Sequence, residues 1–160
     1  MVEPQRMDVA KLAPQAFGHL LQLEGIVAGK IDRKLFHLLK LRASQINGCA
    51  FCIGMHSDEA LRDGDTAERL LLLDAWHESS VFSEKERAAL EWIEELTMIA
   101  DSGASKEAFD GLKRFFSEEE IAYLTLTGAV INAWNRIAIA SRGQYDRAMF
   151  HKPERVGEPA

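Results

Sequence analysis

Asn47-Gly48-Cys49-Ala50-Phe51-Cys52-Ile53-Gly54-Met55-His56 contains both cysteines of the chain. Asn47-Gly48 is a turn dipeptide, so the Leu-rich run before it stops here and a new helix starts at Cys49. Cys52 and His56 follow that start by three and seven residues. At about 100° per residue, the three side chains fall within roughly 60° of one another on one helix face. Cys49 then sits at the helix N-terminus, where unpaired N–H groups and the helix dipole favour a thiolate. His56, one turn beyond Cys52, is in reach to exchange a proton with it, directly or through water.

Working outward, the flanking segments read as helices too. Alternating β-branched runs are missing, and Ala, Leu and Glu dominate. Towards the N-terminus, one helix is expected from Pro14 to about Gly25, and another from an N-cap at Asp32 to about Gln45. The cysteine helix stops near Gly64, and Asp65 is the candidate cap of a helix running through Leu70-Leu71-Leu72-Leu73 to Trp76. Ser83-Glu84-Lys85-Glu86 is a capping box opening a helix to about Ala100. There Ala89, Trp92, Ile93, Leu96, Ile99 and Ala100 recur at helical spacing, while Glu91, Glu94 and Glu95 face away. A short amphipathic piece covers Ser105 to Phe116. Ser117-Glu118-Glu119-Glu120, a second capping box, opens a long apolar helix to about Ser141. The expectation is an all-α fold of six to seven helices in one domain spanning 1–160, with its core at about 15–142 and a frayed tail at 151–160.

Composition excludes several classes. The chain has 160 residues, 47% hydrophobic and 28% charged, within the globular range. Lys and Arg number 19 against 25 Asp and Glu, a net charge of −6, so nucleic acid is not an expected partner. The start, Met1-Val2-Glu3-Pro4-Gln5-Arg6-Met7, does not read as a secretory signal. The most apolar window, Ile121 to Ala140, contains Thr125, Thr127, Asn132, Asn135 and Arg136, so a buried helix is expected rather than a membrane span. Asn135 and Arg136 need polar partners on another helix or subunit. The expected location is a reducing cytoplasm, where a cysteine pair is more often redox or metal chemistry than a structural bridge.

The residues by themselves leave more than one reading of Cys49 and Cys52. They can be small buried hydrophobes. With His56 they offer zinc three ligands but no evident fourth. Haem attachment needs His directly after the second Cys, where Ile53 stands. A dithiol that opens and closes a disulfide fits the Cys-x-x-Cys spacing, here on helices rather than in a thioredoxin-like βαβ unit. No metal and no cofactor are expected.

The stretch Leu38-Leu39-Lys40-Leu41-Arg42-Ala43-Ser44-Gln45-Ile46-Asn47-Gly48-Cys49-Ala50-Phe51-Cys52, with His56 and Ala60, closely resembles the alkylhydroperoxidase D-like proteins of the carboxymuconolactone decarboxylase superfamily. Ser83-Glu84-Lys85-Glu86-Arg87-Ala88-Ala89-Leu90 and Trp134-Asn135-Arg136 resemble its small members. The resemblance implies a helical fold assembling into trimers or hexamers, and thiol-dependent reduction of organic hydroperoxides. It makes Cys52 the thiol that attacks the peroxide, Cys49 the one that resolves the sulfenic acid, and His56 part of a proton relay. A dithiol partner then restores the pair. The dipole argument instead favours Cys49 as the more acidic thiol, so the two lines disagree over which sulfur attacks. A lactone decarboxylase of the same superfamily would not need the thiols, and a redox-sensing oligomer without turnover is a further alternative.

One position departs from the pattern. The family relay begins with a glutamate twelve residues before the first cysteine, and His37 stands there. On a helical wheel His37 falls with Arg33, Lys40 and Ser44, a polar stripe that by itself reads as a solvated face. Through the resemblance it occupies the place of the relay base, for which an imidazole is suited near neutral pH. Phe51 reads as core packing, with a pocket wall as the alternative. Trp134 fits packing, an interface or a lid. His19, His77 and His151 read as surface residues.

Overall fold

The computed structural model describes residues 3–146 and 148, and every regular element among them is helical. The α-helices are α1 (Val9–Leu12), α2 (Pro14–Ala28), α3 (Arg33–Asn47), α4 (Ala50–Arg62), α5 (Ala67–Leu72), α6 (Glu84–Thr97), α7 (Ile99–Ser102), α8 (Lys106–Leu112) and α9 (Glu118–Ser141), with a 3₁₀ turn at Leu73–Ala75. The expected tail at 151–160 and His151 lie outside the described residues.

The all-α expectation holds, with two more helices than six to seven. α1 is a single turn held by the Asp8 side chain, which accepts from the Lys11 N–H. α7 arises because the helix opened by Ser83 does not run to Ala100. It breaks at Met98 (φ −102°, ψ 35°), and the Ser102 hydroxyl donates to the Glu95 and Met98 carbonyls left at its end. Ile99, expected on the buried face, is therefore exposed. The cap of α5 is Thr66 rather than Asp65. Asp65 is engaged with the Thr66 N–H and the Arg69 guanidinium, while the Thr66 hydroxyl accepts from the Arg69 N–H at 3.3 Å. Both capping boxes form as the sequence specifies, at Ser83/Glu86 and Ser117/Glu120.

α3 is the central helix, packed against α4, α6 and α9. Leu38, Leu39 and Leu41 on α3, Leu90 and Ile93 on α6, and Leu124 and Ile131 on α9 are essentially inaccessible to solvent. α6 and α9 meet closely at Gly128, where a methyl group would lie 2.6 Å from Leu96 Cδ1. Glu94 and Glu95, expected to face away, are both drawn inward. Glu94 accepts from Trp76 Nε1 (2.7 Å) and Arg42 Nε (2.5 Å), and Glu95 holds the N–H and hydroxyl of Ser105. Periodicity places them on the far side of α6, but the neighbouring elements reach round to cover that side. Among the described residues, no helix is long and apolar enough to cross a membrane.

The α3–α4 junction positions the cysteines. Gly48 adopts φ 69°, a left-handed conformation open to glycine, and the Gly48 and Cys49 N–H groups donate to the Gln45 and Ser44 carbonyls. This double closure is a Schellman motif, and it delivers Cys49 directly into the N-cap position of α4.

Candidate functional site

Cys49 caps α4 with its sulfur. Sγ accepts from the Cys52 N–H at 3.3 Å, and both side chains are buried and free of any disulfide. The Cys52 thiol hydrogen-bonds to Cys49 and lowers its pKa to about 7; burial opposes this, while the Cys52 and Phe51 N–H groups and the Asn135 side chain assist. Cys52 is pushed up, because its proton is held by Cys49, because it is buried, and because a second thiolate would face the first. The anion is favoured on Cys49, first by the Cys52 thiol and then by the N–H groups at the start of α4.

Access runs the other way. Cys52 lines a cavity of about 440 Å³, and Cys49 does not. Its walls come from the segment 5–10, from α2, from α4 and from α9. Phe51, expected as core packing, is half-buried on this wall, edge-on to Tyr145 with ring centroids 6.3 Å apart. Trp134 lines the cavity as well, with Phe17 edge-on at 5.0 Å, and its indole N–H has no protein partner.

His56 is 1% exposed and lies in line with Cys49 and Cys52 on α4. Its Nδ1 lies 2.8 Å from Glu59 Oε2, while Nε2 is buried without a partner. Burial lowers the His56 pKa, although Glu59 opposes the shift. Burial would raise the Glu59 carboxyl, but the His56 hydrogen bond and the charges of Lys40 and His37 bring it below its usual value. A neutral imidazole beside an ionised carboxylate carries its proton on Nδ1, so the free Nε2 is a buried base.

His37 is not on a solvated face. It is buried at 7% exposure, together with Lys40 and Ser44 from the same stripe of α3. A wheel shows that these residues share a face; it cannot show that the face meets polar groups of α2, α4 and α9. Lys40 pairs with Glu24 of α2, and the Ser44 hydroxyl accepts from Asn135 of α9 at 3.0 Å. His37 Nε2 is 2.5 Å from Asp63 Oδ2, and Nδ1, without a hydrogen bond, is 3.7 Å from Glu59 Oε2. Asp63, also paired with the exposed Arg33, is held below its usual pKa by those two partners against a desolvation cost. The result is a row, Asp63–His37–Glu59–His56, that leads from the surface towards the thiols.

All four sequence-stated site residues, Cys49, Cys52, His56 and His37, therefore lie in one region joined by α3 and α4. Glu59, Asp63 and Glu24 join them without having been singled out in the sequence, and Asn135 and Lys40, singled out there for polarity alone, prove to belong to the same region. The one legible signal was the His56/Glu59 spacing of three residues, which puts a carboxylate beside the imidazole on any helix. Asn135 finds its expected partners within the chain: Asn47 donates to its carbonyl at 2.8 Å, and it donates to Ser44. Arg136 bonds to Asn132 of its own helix. His19 and His77 are exposed, as expected. Among the described residues, no group of three or more His, Cys, Asp and Glu side chains is arranged to hold a metal ion.

The model of the carboxymuconolactone decarboxylase family matches residues 12–95, which include the whole α3–α4 unit. An uncharacterised Bacillus subtilis protein, YdfG, is 37% identical over 137 residues, covering 85% of this chain and 93% of its own. A solved Agrobacterium tumefaciens structure, a protein of unknown function proposed to be the antioxidant defence protein AhpD, superposes with a TM-score of 0.87 at 43% identity. The match covers 89% of this chain and 99% of that one. The debrominase Bmp8, solved with 2,3,4-tribromopyrrole, has a TM-score of 0.74 at 24% identity over 86% of this chain and 74% of its own, a likeness of fold alone. A Schellman turn carrying Cys-x-x-Cys into a buried helix start, in a chain matched by that model over more than half its length, has one assignment: the protein is an AhpD-like member of the carboxymuconolactone decarboxylase family.

Proposed function

We propose that the protein is a thiol-dependent peroxidase that reduces organic hydroperoxides through a Cys49/Cys52 dithiol–disulfide cycle. The observation that carries this is the division of labour within the pair: Cys52 faces the cavity, while Cys49, behind it, is poised as a thiolate. That division reconciles the two lines of reasoning over which sulfur attacks. Of the two, Cys52 is the one on the cavity, and Cys49 is the one on which the thiolate needed for the second step is favoured.

In the first step the proton that Cys52 shares with Cys49 passes to His56 Nε2, one turn along α4, through a water, and the Cys52 sulfur attacks the terminal peroxide oxygen. The O–O bond breaks, Cys52 becomes a sulfenic acid, and the alkoxide takes the proton from His56 to leave as the alcohol. The Cys49 thiolate then attacks the Cys52 sulfur and expels hydroxide, which is protonated to water. Two thiols and one hydroperoxide become one disulfide, one alcohol and one water. Glu59 holds the His56 tautomer and stabilises the transient imidazolium, and His37 with Asp63 links it to protons at the surface. A dithiol partner regenerates the pair by exchange. The assignment includes a reducing cytoplasm and assembly into a trimer or hexamer, for which Leu12, Ile26 and Leu71 leave apolar surface exposed.

Mass spectrometry of the reduced protein before and after an organic hydroperoxide tests the cycle. The expected result is a loss of two mass units per chain with catalytic turnover in the presence of a dithiol. Full turnover by Cys52→Ser would refute the assignment. Disulfide formation that changes assembly without turnover would favour a redox sensor.

A further inference from the structure

The lining of the cavity is specific about charge as well as size. Its larger walls are Phe17, Leu21, Phe51, Met55, Trp134 and Ile137, and its ionisable side chains other than Cys52 are three carboxylates, Asp8, Glu24 and Glu59. The buried Lys40, behind the lining, is already paired with Glu24. Asp8 caps α1 and, among the described residues, pairs with the exposed Lys11. Glu59 is kept ionised by its neighbours His56 and Lys40.

We infer that this cavity selects neutral, apolar hydroperoxides and their alcohols, and discriminates against those carrying a carboxylate. The inference rests on the peroxidase reading for the reaction, but the binding preference stands on the lining alone. The volume of about 440 Å³ falls in the range of small-molecule sites, and hydrogen peroxide would leave most of its apolar wall in contact with nothing. Each methylene that fills such a wall gains about fourfold in binding. A phenylpropyl group is therefore expected to tighten binding about a hundredfold or more over hydrogen peroxide, after part of that gain is spent on ordering. An anionic ligand must give up its hydration to enter a low-dielectric site lined by carboxylates of its own sign, whose contacting cations, Lys40 and Lys11, are already paired with Glu24 and Asp8. An unpaired carboxylate is then expected to weaken binding at least about tenfold. In the reaction itself, the organic group passes unchanged from hydroperoxide to alcohol, so the alcohol is a faithful probe of the same walls.

The test uses a matched pair, 2-phenylpropan-2-ol and its para-carboxylate, titrated by calorimetry into the reduced full-length protein. The neutral alcohol should bind at least tenfold more tightly, and Asp8→Asn, which keeps a capping side chain, should narrow the gap. Turnover of cumene hydroperoxide should exceed that of its para-carboxylate by a similar factor, mainly through KM. Equal or tighter binding of the carboxylate, or no binding of the alcohol, would overturn the inference. If neither hydroperoxide is consumed while the alcohols still discriminate, the peroxidase reading fails and the charge preference of the cavity survives.

Discussion

Replacing Glu59 by Gln isolates what the carboxylate does for His56. Gln retains an oxygen that can accept from Nδ1, so the geometry at 2.8 Å survives and only the charge is lost. A hydrogen bond to a charged group contributes about 1.5–3 kcal/mol, against about 0.5–1.5 kcal/mol for a neutral one. Glu59 is 31% exposed, so solvent screens part of the difference. That leaves about 1 kcal/mol of imidazolium stabilisation. At 1.36 kcal/mol per decade, turnover should fall about fivefold, and the acid limb of the pH profile should move down. The direction follows from the environment: burial already lowers the His56 pKa, Glu59 opposes it, and removing Glu59 lets it fall further. The assay is kcat/KM for an organic hydroperoxide from pH 5 to 9, with Glu59→Asp as a control expected to restore part of the rate. A Glu59→Gln enzyme within twofold of wild type, with an unmoved profile, would refute the relay.

Two other substitutions read separate parts of the molecule. Asn135→Ala removes a fully buried amide that meets Asn47, Ser44 and the thiols; it should cost about 1–3 kcal/mol in denaturant unfolding. It should also lift the Cys49 pKa above its value of about 7, followed by thiolate absorbance near 240 nm. Glu86→Gln weakens the α6 capping box and the Arg69 pair, and should lower stability by about 1–2 kcal/mol at neutral pH. Burial would raise Glu86, but the Ser83 and Arg69 contacts hold its folded pKa below 4.5. Its contribution is therefore complete above pH 4.5 and fades as the pH falls through the folded value, so the two melting curves should converge on acidification.

The helices were legible where the cause is local. Ser83 and Ser117 with their glutamates three residues on, Asp32 ahead of its helix, and Asn47-Gly48 all act through the backbone next to them. The cysteine pair was legible for the same reason, since a helix start and a fixed spacing suffice to place it. What the sequence hid is tertiary. His37, Lys40 and Ser44 form a polar stripe, and nothing within α3 says that Glu24, Glu59 and Asn135 come from three other helices to meet it. His37, at the position where the resemblance implies a glutamate, is an imidazole between two carboxylates, Asp63 and Glu59. The sequence shows only the imidazole; the fold sets it against two carboxylates, one on α4 and one at its C-terminal end. Phe51 was misjudged because one helix face can serve a core or a cavity equally well.

The cavity also has a place in the order of synthesis. Its walls need both residues 5–10 and the end of α9, which are fastened together where the Arg6 N–H donates to the Ser141 carbonyl at 2.8 Å. On a ribosome the dithiol emerges well before α9 can close over Cys52. Until then its two sulfurs answer to whatever thiols and oxidants surround the nascent chain. The chamber closes only once α9 has been made, so a product truncated before α9 would keep Cys49 and Cys52 and lack the wall that Trp134, Ile137 and Ala138 supply.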